Sequence, residues 1–258
     1  MGDQSEEFAE ELEQAATWIR EAENVVVFTG AGVSTESGIP DFRGPQGIWK
    51  KVDASIFEFK NYLRDPEVRK RAWQMRRDAE MWNAAPNPSH AAIAQLERVC
   101  NVTALITQNI DRLHHAAGSD PKKILEIHGN ILEVGCLECK TRWPTVEILD
   151  RVEAGEEDPR CRECGGIMKT ATISFGQSLD PDVLAACEKA SREADFFLVA
   201  GSSLVVTPAA HMPVIALKNG ARVMIVNLEP TPLDDLADIV VSGSTGEILP
   251  ALSGLLTA

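Results

Sequence analysis

Apolar residues recur at helical spacing near the start of the chain and then form a continuous run. The helical face consists of Phe8, Leu12, Ala15, Ile19 and Ala22. The apolar runs lie at 25–29, 102–106, 171–175, 196–200, 222–226 and 239–241. Between the later runs we expect helices, one starting at Asp180 and Pro181 and one spanning Pro208 to Lys218. Continuous apolar strands alternating with helices predict an α/β fold, a Rossmann-like doubly wound parallel sheet.

Two segments interrupt this alternation. Residues 45–88 are rich in aromatic side chains, contain the basic segment 69–77 and end in the breaker sequence Pro-Asn-Pro, so they are expected to form a helical insertion. Residues 131–170 hold paired cysteines around a short charged linker. We predict that the two insertions together form a small zinc-ribbon and helical module. The Rossmann-like domain then comprises residues 1–44, 89–130 and 171–258.

Composition narrows the function classes. The chain has 258 residues, and its 25 Lys and Arg against 39 Asp and Glu give a net charge of 25 − 39 = −14. This balance disfavours direct nucleic-acid binding, and it favours the approach of basic partners such as Lys-rich peptides. The acidic start of the chain differs from a signal peptide, and no apolar run approaches the roughly 18 residues of a membrane span. The sequence therefore predicts a cytoplasmic protein without a membrane partner.

Four of the six cysteines form two Cys-x-x-Cys pairs, Cys136 with Cys139 and Cys161 with Cys164. Each pair can supply two thiolates to one tetrahedral zinc ion. Redox pairs are the competing interpretation, but two would be needed and neither follows a predicted strand of the sheet. Because four cysteines leave no ligand position for a substrate water, the predicted zinc ion is structural.

Candidate chemistry follows the predicted strands, where open α/β sheets bind their ligands. The first strand runs into Gly30-Ala31-Gly32, a turn that lets backbone approach a phosphate, although a third glycine is missing at Thr35. The amide and acid residues Gln108, Asn109 and Asp111 follow the second run, and His128 comes next to Gly129. That glycine is expected to open space beside the histidine. Residues with hydroxyl side chains follow the run 196–200, and polar residues follow the run 222–226. We expect all of these strand-end groups to meet in one crevice.

These motifs, taken in order, resemble those of the sirtuin family of NAD-dependent protein-lysine deacylases. The resemblance rests on GAGVSTESGIPDFR at 30–43, TQNIDRLHHAAG at 107–118, the His128-Gly129 pair, both cysteine pairs, GSSLVVTPAA at 201–210 and VNLEPT at 226–231. It extends over nearly the whole chain. It implies that NAD and an acylated-lysine peptide meet in a cleft between a Rossmann domain and a small zinc module.

The resemblance also implies roles for individual residues. His128 would be the general base and Asn109 a second catalytic residue. The implied NAD contacts are Gly30, Ala31, Gly32, Ser34, Thr35, Asp41, Phe42, Arg43, Gln108, Asn109, Ile110, Asp111, Gly201, Ser202, Ser203, Asn227, Leu228, Glu229, Ser244 and Thr245. The implied peptide contacts are Ile173, Phe175, Gly176 and Val206. In the reaction so implied, the acyl oxygen displaces nicotinamide, His128 deprotonates a ribose hydroxyl, and the acyl group passes to ADP-ribose.

Two departures from the family pattern concern the peptide. The peptide-binding segment of the family usually has the form Lys-Pro-x-Val-Val-x-Phe-Gly-Glu, but this chain has Thr170 in place of the proline and Gln177 in place of the acid. We therefore expect altered peptide selectivity and retained catalysis. Backbone pairing of a peptide with residues 173–176 remains possible, because strand addition depends on main-chain groups.

The acyl preference depends on the helical insertion. By the same resemblance, relatives that remove succinyl or malonyl groups carry a Tyr and an Arg three residues apart in this insertion. The nearest counterparts in this chain are Trp73 and Arg76. We expect uncharged acyl groups to be preferred, acetyl first. Arg76 either lies on a solvated basic helix face with Arg69 and Arg77, or it binds an acyl carboxylate.

Two other functions remain open. A mono-ADP-ribosyltransferase would cleave NAD in the same way but with a protein group as the nucleophile. That reaction has less need of a general base such as His128. A non-catalytic NAD sensor would be expected to lack His128 or Asn109, and the chain has both.

Overall fold

A parallel sheet of six strands forms the centre of the computed structural model, which describes residues 2–42, 44, 47–48 and 53–257. Its strand order is β3-β2-β1-β7-β8-β9, and every neighbouring pair is parallel. The strands are β1 Val25–Thr29, β2 Val102–Thr107, β3 Ile124–Glu126, β7 Phe196–Ala200, β8 Arg222–Asn227 and β9 Ile239–Ser242. This is the Rossmann order, with its topological switch point between β1 and β7.

Helices cover both faces of this sheet, because successive side chains of a strand point to opposite sides. Val25 and Val27 of β1 pack with α1, α4 and α9, whereas Val26 and Phe28 pack with α7 and α8. These helices are α1 Gly2–Glu21, α4 Pro88–Val99, α7 Pro181–Glu193, α8 His211–Lys218 and α9 Thr245–Leu255. The predicted doubly wound core is therefore confirmed. Within the described ranges, no helix combines the length and apolarity needed to cross a bilayer.

A second, antiparallel sheet in the order β5-β4-β6 lies beside the first. Its elements and the helices around it are β4 Gly129–Cys136, β5 Arg142–Pro144, β6 Met168–Thr172, α2 Phe59–Arg64, α3 Pro66–Arg77 and α6 Thr145–Glu153. Trp73 of α3 shares one core with Val134 and Ile148 of the ribbon segment. The two insertions thus pack on each other, as expected, while the domain limits stay a prediction. The remaining helices are α5 Leu113–Ala116 and 3₁₀ turns at Ala31–Val33, Thr35–Ser37, Ala54–Phe57, Glu80–Asn83 and Asp234–Leu236.

Two element limits differ from the predictions. The strand expected at 171–175 is β6, which ends at Thr172; after it, the Ile173 amide donates to the His128 carbonyl (2.9 Å) and Gly176 turns the chain with a left-handed φ of 75°. The helix expected from Pro208 begins at His211, because residues before it form turns. In both cases the apolar residues extend past the limit of the element that the backbone hydrogen bonds define, after the end of β6 and before the start of α8.

The basic segment of α3 pairs with the charged linker of the ribbon. The Arg69 guanidinium, 3% exposed, forms hydrogen bonds of 2.9–3.0 Å with the Asp158 carboxylate and also donates to the Tyr62 and Leu63 carbonyls. Lys70 lies 3.2 Å from Glu157. The solvated basic face considered for Arg69, Arg76 and Arg77 is therefore wrong for Arg69, and of the three only Arg77 is exposed.

We predict that Asp158→Asn destabilises the protein by about 3 kcal/mol, because it leaves the buried Arg69 charge without its carboxylate. Asp78→Asn is the control: it breaks the exposed Arg77–Asp78 pair and should cost less than about 1 kcal/mol. Thermal unfolding at fixed zinc concentration compares the two variants. Equal losses would show that the Arg69 pair contributes no more than a surface pair.

Candidate functional site

A cavity of about 780 Å³ opens at the carboxyl ends of β1, β2, β7 and β8. The loops after these strands line it on one side, and residues of the second sheet and the helical insertion line it on the other. It lies at the topological switch point, where the loops after β1 and β7 turn in opposite directions and leave a crevice. The cavity is therefore where the fold is expected to bind a ligand.

The loops after β1 and β7 touch through their backbones. The Gly30 amide donates to the Ala200 carbonyl at 3.0 Å, and the Gly32 amide donates to the Gly201 carbonyl at 2.8 Å. A Cβ at Gly30 would lie 2.6 Å from the Gly201 carbonyl oxygen, so a side chain would force the two loops apart. These glycines bring main-chain groups of both loops to the cavity wall.

A polar network joins the β1, β2 and β7 loops. Ser34 Oγ donates to Asp111 at 2.7 Å, and the Asn109 side-chain amide donates to Ser34 Oγ and to the Gly30 carbonyl, each at 3.0 Å. The Gln108 amide donates to Ser202 Oγ at 2.8 Å. The partly buried side chains that sequence analysis singled out are thus held in fixed orientations rather than free in solvent.

His128 lies between the two sheets, directly before β4, and its half-buried ring lines the cavity. Its Nδ1 is 3.2 Å from the Gln108 carbonyl oxygen. Because a carbonyl only accepts, this bond requires the proton on Nδ1 and leaves the lone pair on Nε2. Burial lowers the pKa of His128 from its ordinary 6.5, against a smaller upward effect of the Gln108 carbonyl. The ring is therefore neutral at pH 7 and can accept a proton at Nε2.

Gly129 has a different role from the one predicted. Its φ is 70°, and a Cβ there would overlap the Ala171 carbonyl oxygen, which belongs to β6. The glycine therefore permits close packing of β4 against β6 and does not open space beside His128. The consequence for the site is that the turn carrying His128 is pinned to the second sheet.

The residues predicted to contact a peptide lie in the segment after β6 and, for Val206, in the loop after β7. Ile173, Phe175, Gly176 and Val206 all line the cavity. Both main-chain groups of Phe175 are bonded to the helical insertion, to the Phe57 carbonyl and the Phe59 amide, each at 2.9 Å. The main-chain groups of Phe175 are therefore not available to pair with a peptide strand, and the Ile173 amide is already bonded to the His128 carbonyl. Gln177 accepts from the Ser174 amide at 3.2 Å, so it closes its own turn.

The loop after the first 3₁₀ turns lies at the cavity mouth. Asp41 accepts from the Gly44 amide at 2.9 Å, and Phe42 is 37% exposed although it lines the cavity. A large aromatic ring at this edge is available to cover a ligand. Arg43, which was predicted to contact NAD, lies outside the described residues.

Residues after β8 and β9 form the far end of the cavity. The Asn227 side-chain amide donates to the Glu229 carbonyl at 2.6 Å, and Leu228 is exposed. Ser244 caps α9 through the Gly246 amide and also bonds Glu36. Thr245 also lines the cavity, and its buried hydroxyl accepts from Ser89 Oγ at 2.9 Å.

Every predicted NAD, peptide and catalytic residue that the structure describes lines this one cavity. Sequence analysis missed its apolar wall, formed by Ile39, Ile48, Phe57, Met81, Leu179 and Leu184. These side chains come from four separate segments, and apart from Ile39 they lie outside the motifs, so only tertiary structure brings them together. Of the two positions left open for Arg76, the structure shows the one in which it lines the cavity.

The four paired cysteines form one cluster outside the cavity, at the end of the second sheet. Their Sγ atoms all lie within 4.8 Å of one another, with Cys136 3.5 Å from Cys164 and Cys139 3.6 Å from Cys161. Thiolates bound tetrahedrally to zinc at about 2.3 Å are separated by about 3.8 Å. The cluster therefore fits one zinc ion with all ligand positions filled, and none of the four lines the cavity.

Comparison with known proteins decides the family. Residues 30–208 match the model of the Sir2 family. The chain belongs to this family, the sirtuins. It is 46% identical to NAD-dependent protein deacetylase 2 of Streptomyces coelicolor over 230 residues, 88% of this chain and 95% of the relative.

Two solved sirtuin structures are similar along most of their length. One, described as a structural basis for the mechanism and regulation of Sir2 enzymes, is 41% identical with a TM-score of 0.87, covering 96% of this chain and 98% of its own. The other holds a substituted Sir2 enzyme with a deacetylated p53 peptide and 3′-O-acetyl-ADP-ribose; it is 36% identical with a TM-score of 0.86, covering 92% and 95%.

We predict that Cys136→Ala loses the zinc ion and loosens the second sheet, because metal binding of roughly 10 kcal/mol is coupled to folding of such sites. Cys100→Ala is the control, since Cys100 ends α4 away from the cluster. Elemental analysis should give about one zinc per chain for the wild type and for the control, and far less for Cys136→Ala. Folded wild-type protein with less than half an equivalent of zinc would contradict a structural zinc site.

Proposed function

We propose that this sirtuin is an NAD-dependent protein-lysine deacylase, which transfers the acyl group of lysine to ADP-ribose and releases nicotinamide. The observation that carries the proposal is His128, whose ring lines the cavity shared by the strand-end loops and the 173–176 segment and whose Nδ1 lies 3.2 Å from the Gln108 carbonyl, which leaves Nε2 to accept a proton. NAD is a co-substrate consumed in the reaction, and the zinc ion is structural. The substrate is an acylated-lysine peptide or protein, and a cytoplasmic location stays a prediction.

The cavity wall supports binding of NAD by groups suited to each part of it. The backbone at Gly30, Gly32 and Gly201 can approach a pyrophosphate, and Ser202 and Ser203 add hydroxyls nearby. Asn227 and Ser244 lie at the end expected for the adenosine. Asn109, Ile110 and Asp111 follow Gln108, whose carbonyl lies 3.2 Å from His128 Nδ1, and they are assigned to the nicotinamide and ribose.

Bound NAD supplies the ribosyl carbon that the acyl oxygen attacks, with nicotinamide as leaving group. The acyl oxygen is a weak nucleophile, so alignment and exclusion of water must supply much of the acceleration. The apolar wall and Phe42 are placed to exclude water. His128 would then take a proton from a ribose hydroxyl at Nε2, and the Gln108 carbonyl would stabilise the protonated ring through Nδ1. The deprotonated ribose oxygen would bond to the acyl carbon, and addition of water to that carbon would break its bond to the lysine nitrogen, which leaves free lysine and O-acyl-ADP-ribose.

The reaction is tested by mass spectrometry of an acetyl-lysine peptide incubated with the protein and NAD. We expect loss of the acetyl group with formation of acetyl-ADP-ribose and nicotinamide. His128→Ala should reduce this deacylation by about 10²–10⁴-fold while binding of NAD changes little, because the base acts after nicotinamide has left. His211→Ala is the control, since His211 is exposed at the start of α8.

Three other results would contradict this assignment. Gain of ADP-ribose by the peptide would indicate a mono-ADP-ribosyltransferase, the alternative function. NAD binding without any product would indicate a sensor. A His128→Ala variant with near-wild-type turnover would show that another residue is the base.

The position of Arg76 favours a second class of acyl substrate. Its guanidinium lines the cavity and donates to Thr170 Oγ1 at 3.1 Å and to Thr172 Oγ1 at 3.2 Å. Among the described residues no carboxylate pairs with it, and burial lowers the pKa of Arg76. Burial, together with the Arg76 charge, lowers the pKa of the nearby Lys169 to about 7, and its Nζ bonds main-chain carbonyls only. Uncompensated positive charge at this wall would attract an acyl group that ends in a carboxylate.

We predict that Arg76→Met lowers kcat/KM for a succinyl-lysine peptide by about 10–100-fold, as expected for loss of a charge-assisted contact. The same change should leave kcat/KM for the matched acetyl and octanoyl peptides within about 3-fold. Arg77→Met, at the neighbouring exposed position, is the control. An equal loss on all three peptides would show that Arg76 supports the wall without recognising the acyl group.

A further inference from the structure

Glu126, the last residue of β3, bonds to both turns that carry candidate catalytic residues. Its side chain is 16% exposed, and its Oε1 lies 2.8 Å from Arg112 Nε. Its Oε2 accepts from Arg112 Nη2 at 3.3 Å and from Asn130 Nδ2 at 3.0 Å. His115 Nδ1 lies 3.9 Å from Glu126 Oε1. One carboxylate therefore contacts the residue after Asp111 and the residue two positions after His128.

The contact between Glu126 and Arg112 acts on the turn that carries Asp111. Arg112 has a left-handed φ of 65°, which is unfavourable for a residue with a side chain. This conformation reverses the chain before α5, so that the Asp111 carboxylate accepts from the Leu113 amide at 2.9 Å and from Ser34 Oγ. The ion pair with Glu126 offsets the cost of the turn and holds Asp111 toward the β1 loop.

The contact with Asn130 acts on the second turn. Asn130 is 6% exposed, donates to Glu126 and accepts from the Leu132 amide at 3.1 Å, so both ends of its amide are used. The neighbouring Ile131 amide donates to the Ile110 carbonyl at 3.0 Å. The turn through His128 and Gly129 is thereby tied to the turn that carries Asp111.

We propose that Glu126 is a positioning residue that keeps the Asp111 turn and the His128 turn in one fixed arrangement. Glu126, Arg112 and Asn130 are not among the described residues that line the cavity, so Glu126 acts through its neighbours and does not contact substrate. This inference rests on the proposed deacylase function. It predicts that loss of the carboxylate disturbs steps on both sides of nicotinamide departure, since Asp111 serves the first and His128 the second.

The test compares two rates in each variant: exchange of labelled nicotinamide into NAD in the presence of an acetyl-lysine peptide, and deacylation of the same peptide. Glu126→Gln keeps the shape of the side chain and removes its charge. We expect both rates to fall by about 10-fold or more, with KM for NAD and peptide within about 3-fold, because small misplacement of catalytic groups affects turnover more than binding. His128→Ala should reduce deacylation and retain exchange, which separates the two behaviours.

Glu133→Gln is the matched control, since Glu133 forms an exposed pair with Arg142 on the next strand. Arg112→Gln is a second variant that reports on the same contact if Glu126→Gln folds poorly; it should lower both rates by about 3-fold or more. Rates like those of Glu133→Gln in both variants, or a change in KM alone, would overturn the proposal. A wild-type protein that lacks both activities would instead contradict the proposed function.

Discussion

The contact between two glycine backbones at the switch point is the constraint on which the site depends. Parallel strands deliver all their loops to one edge, but only residues without Cβ let the loops after β1 and β7 approach as closely as Gly32 and Gly201 do. That approach places Ser34 within reach of Asp111, and Ser202 within reach of Gln108. The polar wall of the cavity thus combines this backbone packing with the hydrogen bonds that hold its side chains in place.

The sequence predicts those features of the fold and the site that depend on residues close together in the chain. The strands 25–29 and 196–200 have the predicted limits, because continuous apolar runs bounded by turn residues define buried strands. β6 was displaced because apolarity continues past Thr172, where pairing with β4 stops. The apolar wall and the inward direction of Arg76 depend on contacts between distant segments, which periodicity does not report. Gly129 was identified correctly as special, but for a reason that only the approach of Ala171 explains.

The positions of the basic side chains in the small module also could not be predicted from the sequence pattern alone. The run of basic residues in α3 suggested a solvated face, yet Arg69 is buried against Asp158 and Arg76 faces the cavity. A buried cation needs a carboxylate or several carbonyls, and here the acidic linker before Cys161 supplies the carboxylate. The zinc segment and the helical insertion are therefore joined by charge as well as by the core around Trp73. The helix that carries Arg76 to the cavity wall is thus packed on the segment that holds the cysteine cluster.

His128 occupies the point where these two halves meet. β3 belongs to the parallel sheet and β4 to the antiparallel sheet, and the short connection between them contains the histidine. The Gln108 carbonyl orients its ring from the Rossmann side, whereas Gly129 and the Ile173 amide fix its backbone from the other. Because His128 is bonded to both sheets, the position of its ring depends on how the turn after β2 and the segment after β6 are held relative to each other.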